Sequence, residues 1–352
     1  MSDTPTETTD LVTLIITTSP TPSAPSTDLI SDIIDSFRKH CADLLSCRVI
    51  VVFDTYDRIG ESMRLKKGQV TAEGAQSVEL YKQNVKALIL KEWYPESEVA
   101  SEPVFIHGND LAEYGSPRLV DVNHVVLSTT QTDDGRVTFI EPAARIGFGL
   151  AVRSALRITQ TPYVWVQQHD WPLVRDIPLG SLLEVMQASE AESSNIPVKY
   201  VCLPAVRMLS YATSAHVMQF PTLRALTAKL KRDFFPASRP DIAVPLTPLF
   251  FWHDKPHIAS TAHYLARIFP SRLAMARGDF IEDHVGQRAR AQMKDGNWAK
   301  WACWLYCPGD GKEVCLMHRH GRTWKGVEAD LQTKALFMGM GRDKKSRRLP
   351  ES

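Results

Sequence analysis

Apolar positions along this chain follow two spacings that alternate. Short runs rich in β-branched and aromatic residues, at residues 12–17, 47–53 and 163–166, have the composition of buried strands. Between them, apolar residues recur every three or four positions, as they do on the buried face of a helix. Two such stripes are Leu29, Ile30, Ile33, Ile34 and Phe37, and Val78, Tyr81, Val85 and Leu88. This order predicts an α/β fold whose mainly parallel central sheet is flanked by helices.

Polar side chains stand directly after each of the three apolar runs. Thr18 follows the first run, Asp54 follows the second, and the third breaks into Gln168, His169 and Asp170. Right-handed crossovers bring the carboxyl ends of parallel strands to one edge of a sheet. Ligands of open α/β sheets bind outside that edge. We therefore expect Thr18, Asp54 and Asp170 to converge on a binding site.

Composition excludes several classes of protein. The 352 residues are 44% hydrophobic and 23% charged, and the formal net charge of +1 argues against a nucleic-acid partner. No apolar run approaches the roughly 20 residues that span a bilayer. The acidic, Thr-rich start of the chain lacks the basic region of a secretory signal. Because six cysteines without zinc-type spacing suit reduced thiols, we expect a cytoplasmic protein with no transmembrane segment.

Six short motifs follow one another along the chain. They read ITTSP (16–20), FDTYD (53–57), ARIGFGLAVRSAL (144–156), QQHD (167–170), DFIEDHVGQ (279–287) and MHRHGR (317–322). In this order they resemble the motifs of GT-A type nucleotide-sugar glycosyltransferases, particularly the inverting enzymes of family two. The resemblance implies a single GT-A-like (Rossmann-like) domain over residues 11–335, with a nucleotide-binding half at 11–170 and an acceptor half at 171–335. Residues 1–10 are then expected to form a disordered tail, and residues 336–352 a basic one.

The resemblance also implies which residues hold the donor. Asp54, with Asp57 as a second candidate, matches the acid that lies near the base or ribose. Arg145, at the start of a helix, would reach the diphosphate. The full implied set for the nucleotide-sugar is Thr18, Asp54, Asp57, Arg145, Gln168 and Trp171.

A divalent cation is the cofactor that the resemblance implies. Asp170 matches the second acid of the metal-binding Asp-x-Asp pattern, and Gln168 stands in place of the first acid. One hypothesis is that Asp170, with His318 or His320, holds Mn²⁺ or Mg²⁺ together with the diphosphate. The other is that arginines and lysines neutralise the diphosphate without a metal.

The motif at residues 279–287 carries two adjacent acids, Glu282 and Asp283. Inverting transfer needs a carboxylate to take the proton of the attacking hydroxyl. The resemblance makes Asp283 this base and gives Glu282 a positioning role. A pair of acids that complements a helix dipole is the alternative interpretation.

The expected activity is that of a hexosyltransferase-like enzyme. It would move a sugar from a nucleoside diphosphate-sugar to the hydroxyl of an unknown glycan, lipid or protein acceptor, by direct displacement. A nucleotidyltransferase is one alternative, although residues 17–25 lack the Gly-rich, basic loop that such enzymes use. A degenerate GT-A-like protein that binds ligands without catalysis is the other, and the replacement of the first acid by Gln168 supports it.

Overall fold

The computed structural model describes residues 8–61, 66, 68–95, 103–115, 123–190, 196–271, 274–330 and 332. Most of the predicted N-terminal tail and all of the predicted C-terminal tail lie outside these residues. The helical turn Thr8–Leu11 leads directly into the first strand, so ordered structure begins before residue 10, where the tail was predicted to end.

Of the thirteen strands in the described ranges, eleven form one sheet, and the other two, β3 and β4, form a small parallel pair. The strands are β1 Val12–Thr18, β2 Arg48–Phe53, β3 Arg58–Ile59, β4 Gln69–Val70, β5 Phe105–Tyr114, β6 Asn123–Thr132, β7 Val137–Pro142, β8 Tyr163–Gln168, β9 Tyr200–Cys202, β10 Arg232–Phe234, β11 Val244–Pro248, β12 His257–Ser260 and β13 Cys303–Tyr306.

Helices cover the sheet, and the two predicted stripes of apolar residues lie on α2 and α4. The helices are α1 Thr8–Leu11, α2 Asp28–His40, α3 Asp43–Ser46, α4 Ala72–Trp93, α5 Phe148–Ile158, α6 Leu179–Ala188, α7 Ala215–Met218, α8 Pro221–Leu230, α9 Thr261–Ile268, α10 Gln287–Lys294 and α11 Pro308–Gly311. A π-helical turn, Glu282–Gly286, precedes α10. Shorter 3-10 turns occupy Val206–Met208, Tyr211–Thr213, Trp298–Lys300 and Gly321–Thr323. The predicted α/β class is confirmed.

The large sheet is mixed, with a parallel centre. Its strand order is β10-β11-β13-β9-β12-β8-β1-β2-β7-β6-β5. The four strands β8, β1, β2 and β7 are parallel to one another. Thr17 pairs with Gln168, and Thr18 pairs with Phe53, so the carboxyl ends of β1, β2 and β8 lie level at one edge.

Antiparallel strands extend this centre on both sides. β5 and β6 pair along ten residues each and continue β7 as a meander. The sequence predicts short strands at residues 104–107 and 124–128 of a parallel sheet; the structure has longer strands there, and they are antiparallel. On the other side, β12 runs antiparallel to β8. An antiparallel neighbour begins at the edge where a parallel strand ends. The residues before His257 therefore lie beside the end of β8. Among the described residues, no helix has both the length and the apolar character to cross a membrane.

Candidate active site

Three cavities follow one another along this edge of the sheet. The strand-end cavity, of about 200 Å³, adjoins Thr18, Asp54, Arg145, Lys66 and Asp170. The central cavity, of about 550 Å³, shares Gln168, Asp170, Phe280 and Arg322 with it. The outer cavity, of about 350 Å³, shares Lys255 and Glu282 with the central one. The shared walls make one groove, which extends from the end of β2 to the π-helical turn.

Asp54 is held by backbone groups. Its Oδ1 accepts hydrogen bonds from the amides of Ile146 (2.8 Å) and Thr55 (3.0 Å), and its Oδ2 accepts one from Gly147 (2.9 Å). Burial raises the pKa of the Asp54 carboxyl, although these bonds and Arg145 act in the opposite direction. Asp54 therefore fixes the chain at the start of α5, and its side chain also lines the strand-end cavity.

Arg145 lies within an ion-pair network beside Asp54. Its Nη1 is 3.0 Å from Asp57 Oδ2, and its Nε is 4.0 Å from Asp54 Oδ2. Arg277 approaches the other oxygen of Asp57 at 3.2 Å. Gly147, with φ +81°, packs so closely that an added Cβ would lie 2.5 Å from the Gly278 backbone. Close packing thus requires this glycine, and the network sets the position of the Arg145 guanidinium at the cavity wall.

Thr18 and His169 belong to a buried polar chain. The Thr18 hydroxyl is 2.5 Å from the hydroxyl of Tyr81 and 2.7 Å from His169 Nδ1. Burial lowers the pKa of His169. These contacts position the end of β1 against the end of β8, and both residues line the strand-end cavity.

Asp170 contacts the histidine motif at residues 317–322, which lies about 150 residues further along the chain. Its Oδ2 accepts a hydrogen bond from the Gly321 amide (2.8 Å) and lies 3.1 Å from His318 Nε2. Burial opposes ionisation of Asp170, but the His318 bond and the two nearby histidines outweigh it and lower the pKa of the carboxyl. The amide of Arg319 also donates to the Asp170 carbonyl at 2.8 Å. The segment at residues 318–321 is thus fastened to the end of β8 through Asp170.

Aromatic rings continue from this contact into the central cavity. The His318 ring stacks on Trp171, with centroids 4.2 Å apart and planes 10° apart. The His320 ring lies 4.2 Å from His318, and Lys255 Nζ lies 5.9 Å from the Trp171 ring. Trp171, His318 and His320 all line the central cavity.

The oxygen and nitrogen atoms at this wall suit a cation whose remaining coordination positions are filled by a bound diphosphate. Asp170 and His318 are in contact. Gln168 turns its amide nitrogen to the Asp254 carbonyl at 2.7 Å, which leaves the amide oxygen as a neutral donor. Within the described part of the chain, no group of three His, Cys, Asp or Glu side chains is arranged to hold a metal. A Mg²⁺-like ion bound by one or two protein groups and a diphosphate fits this set.

Asp254 is a site residue that the sequence motifs did not single out. It is 4% exposed; its Oδ2 accepts from the Glu282 amide (3.3 Å), and its buried Oδ1 accepts no hydrogen bond from a described residue. Burial and the charge of Glu282 raise the pKa of Asp254 well above its ordinary value. The only signal in the sequence was its place in a mixed aromatic and polar run before β12.

Glu282 lies between the central and outer cavities. Its Oε2 is 3.5 Å from His253 Nδ1 and accepts a hydrogen bond from the Asp254 amide at 3.3 Å. Burial works against ionisation, yet the His253 bond and the Lys255 charge lower the pKa of Glu282 to about 2. Asp283, next along the π-helical turn, is exposed and lines the outer cavity. The two acids therefore differ: Glu282 is engaged by its neighbours, and Asp283 faces the groove.

Comparison with solved structures finds nucleotide-sugar glycosyltransferases of the GT-A type. A mannosyltransferase from Pyrobaculum calidifontis, in complex with GDP-Man and Mn²⁺, is 13% identical with a TM-score of 0.37; the match covers 86% of this chain and 58% of that one. The chain thus spans little more than half the length of that enzyme.

Glucosyl-3-phosphoglycerate synthase from Mycobacterium tuberculosis is similar in two complexes. The complex with Mn²⁺, UDP and glucosyl-3-phosphoglycerate is 13% identical, with a TM-score of 0.34 and coverage of 88% of this chain and 72% of that one. The complex with Mn²⁺, UDP-Glc and phosphoglyceric acid is 12% identical, with a TM-score of 0.32 and coverage of 84% and 69%. No protein-family model matches the chain, and no curated protein matches it.

Proposed function

We propose that this chain is a glycosyltransferase that moves a sugar from a nucleoside diphosphate-sugar to an acceptor hydroxyl with inversion. One observation carries the proposal. A single groove at the carboxyl ends of parallel strands joins a cation-lined cavity, the Asp170–His318 contact and an outward-facing carboxylate, Asp283. These are the parts that such a transfer needs: charge for a diphosphate leaving group, and a base for the incoming hydroxyl.

In this proposal the nucleotide occupies the strand-end cavity. Arg145, Lys66 and Arg322 line it and would neutralise the diphosphate. Thr18, Asp54 and Asp57 act on the nucleotide chiefly by holding His169, the start of α5 and the Arg145 side chain in place. Trp171 and Gln168 would bound the sugar in the central cavity.

A divalent cation would be held by Asp170 and His318, with His320 at the same wall. When bound, it supplies positive charge to the diphosphate. The neutral Gln168 in the place of an acid means that arginines and lysines of the groove carry more of this charge. The groove therefore suits Mn²⁺ or Mg²⁺ as an auxiliary to Arg145 and Arg322.

The displacement step follows from the order of the cavities. The acceptor oxygen attacks the anomeric carbon from the outer side and forms the new C–O bond. The bond to the diphosphate oxygen breaks on the opposite side, and the electron pair leaves with the nucleoside diphosphate. The hydroxyl proton passes to Asp283, the carboxylate that faces the groove. Glu282, whose pKa of about 2 makes it a weak base, holds His253 and the Asp254 amide in position.

A catalytically inactive binding protein is the second candidate, and Gln168 is the observation that favours it. Its side-chain amide bonds the Asp254 carbonyl, so the place of the first metal-binding acid is occupied by a structural contact. Such a protein would bind the nucleoside diphosphate-sugar and release no product.

Calorimetry with nucleoside diphosphates, with and without Mn²⁺, tests the donor site. Asp170→Asn should abolish any Mn²⁺-dependent gain in affinity, because it removes the charge from the Asp170–His318 contact. Asp176→Asn is the matched control, since Asp176 is 88% exposed and pairs only with His40 among the described residues. Release of nucleoside diphosphate from a panel of donor sugars then separates the enzyme from the binding protein. A chain that binds no nucleoside diphosphate would refute both.

A further inference from the structure

The outer cavity combines cationic side chains with the two acids of the π-helical turn. It is lined by Arg207, Met208, Tyr211, His216, Phe250, Phe251, His253, Lys255, Glu282, Asp283, Gln287 and Arg290. Its volume of about 350 Å³ suits a small molecule. The residues come from α7, α10, the loop before β12 and two 3-10 turns. Several separate segments thus bring charge to one concave surface.

The arginines of this cavity have no carboxylate partner within the described part of the chain. Arg207 is exposed and forms no ion pair there, and the same holds for the half-buried Arg290. Arg145 and Arg319 differ from them, because they pair with Asp57 and Asp32. Two guanidinium groups beside a cavity, without internal partners, leave positive charge available to a ligand.

The wall behind these arginines is preorganised. The Arg290 guanidinium lies over the Phe220 ring at 5.7 Å, which restricts its side chain. Tyr211 is 8% exposed, and its hydroxyl oxygen accepts a hydrogen bond from the Phe250 amide at 3.0 Å. The Tyr211 hydrogen therefore remains to be donated at the cavity wall. A cation packed against a ring and a hydroxyl donor beside it are both features of an anion site.

We propose that the outer cavity is the acceptor subsite and that the acceptor is a small hydroxyl compound bearing a phosphate or carboxylate group, held by Arg207 and Arg290. This inference rests on the proposed function. Glu282 and Asp283 alone would repel an anion, and the two arginines of the same cavity offset that effect. They also orient the acceptor, because the anion binds at the arginines while the hydroxyl faces Asp283. A neutral acceptor would have no use for the two cations.

The test measures binding of glycerol 3-phosphate, glycerate and neutral glycerol to the full chain, by calorimetry in the presence of a nucleoside diphosphate. The expected result is that at least one of the two anions binds and glycerol does not. Whichever anion binds with the higher affinity identifies phosphate or carboxylate as the recognised group. Arg290→Gln and Arg207→Gln should each weaken that binding about tenfold, because each removes a charge-assisted bond. The affinity for nucleoside diphosphate should not change.

Arg288→Gln is the matched control. Arg288 lies on α10 with Arg290 and also lies over an aromatic ring, that of Trp301 at 5.9 Å, but it does not line the cavity. Equal losses in Arg288→Gln and Arg290→Gln, equal binding of glycerol, or no anion binding at millimolar concentration would each overturn the proposal. Competition between anion and nucleoside diphosphate would also overturn it, since the anion would then occupy the strand-end cavity. Anion binding that depends on Arg290 in a chain without nucleotide affinity would retain the anion site and refute the proposed function alone.

Discussion

Asp54 and Arg145 of the strand-end cavity differ from Asp283 and Arg290 of the outer cavity in whether they have partners within the protein. In the strand-end cavity, Asp54 accepts three backbone hydrogen bonds and Arg145 is paired with Asp57. In the outer cavity, Asp283 and Arg290 have no ion-pair partner among the described residues. Groups with internal partners hold the shape of a site, and groups without them are available to a ligand. Substitution at the two ends should therefore have different consequences.

The largest expected effect is on the rate, at the outer end. Asp283→Asn keeps the shape of the side chain but cannot take a proton, so turnover should fall by about 10²–10⁴. Stability should change little, because Asp283 is exposed. Turnover assays and urea denaturation measure both. Glu282→Gln is the adjacent control and should lower the rate less. A variant of Asp283 with full activity would show that the base lies elsewhere, with Asp254 as the next candidate.

Asp54→Ala should show the opposite pattern. The substitution leaves the amides of Ile146 and Gly147 without their acceptor. The free energy of unfolding should therefore fall by about 2–4 kcal/mol. Urea denaturation of Asp54→Ala beside Asp283→Asn makes the comparison directly. If both variants were equally stable, the distinction between the paired groups of the strand-end cavity and the unpaired groups of the outer cavity would be wrong.

Acidification should lower the free energy of unfolding through His257, a buried residue next to the outer cavity. His257 lies on β12 beneath Lys255, is fully buried, and bonds the Lys255 carbonyl through Nδ1 at 2.7 Å. Burial lowers its pKa from 6.5 to about 4. The unfolded chain therefore takes up the proton first as the pH falls. The contribution of His257 is complete above its unfolded pKa and is lost as the pH falls toward about 4.

Between pH 7 and pH 5 this residue alone should cost about 2 kcal/mol of stability. His257→Gln removes the titration, so the loss between these two pH values should be smaller in the variant than in the unmodified protein. His263, whose pKa burial lowers to about 4, and His169 and His253, whose pKa burial also lowers, remain in both proteins and contribute to the residual slope. Identical slopes would mean that His257 is not held neutral in the fold.

The smallest expected effect is on nucleotide affinity, at the strand-end cavity. Arg145→Gln removes one of several cations there, so the dissociation constant of a nucleoside diphosphate should rise about tenfold. Arg277→Gln is the control, because Arg277 also pairs with Asp57 but does not line the cavity. Calorimetry measures both variants. A larger loss for Arg277→Gln would mean that Arg145 acts only as a structural partner of Asp57.

Local patterns predicted the strands that carry the site. The apolar runs before Thr18, Asp54 and Asp170 form β1, β2 and β8, and these three strands are parallel neighbours. Such strands are buried on both faces, so their composition alone identifies them. The antiparallel arm of β5 and β6 has exposed positions along most of its length, so its signal is weaker, and the sequence predicts only short strands there, at residues 104–107 and 124–128.

The sequence by itself determined the α/β class and the strand ends at which Thr18, Asp54 and Asp170 stand. The residue types and their spacing carry that information, because burial and backbone preference are local properties. Only the tertiary structure decided which groups have partners within the protein. Asp54 accepts from the amides of residues 146 and 147, the Gln168 amide nitrogen donates to the Asp254 carbonyl, and Asp170 contacts a segment about 150 residues away. Those contacts depend on the antiparallel placement of β12 and the return of the chain after β13. Pairings between distant segments of this kind leave no periodic trace in the sequence.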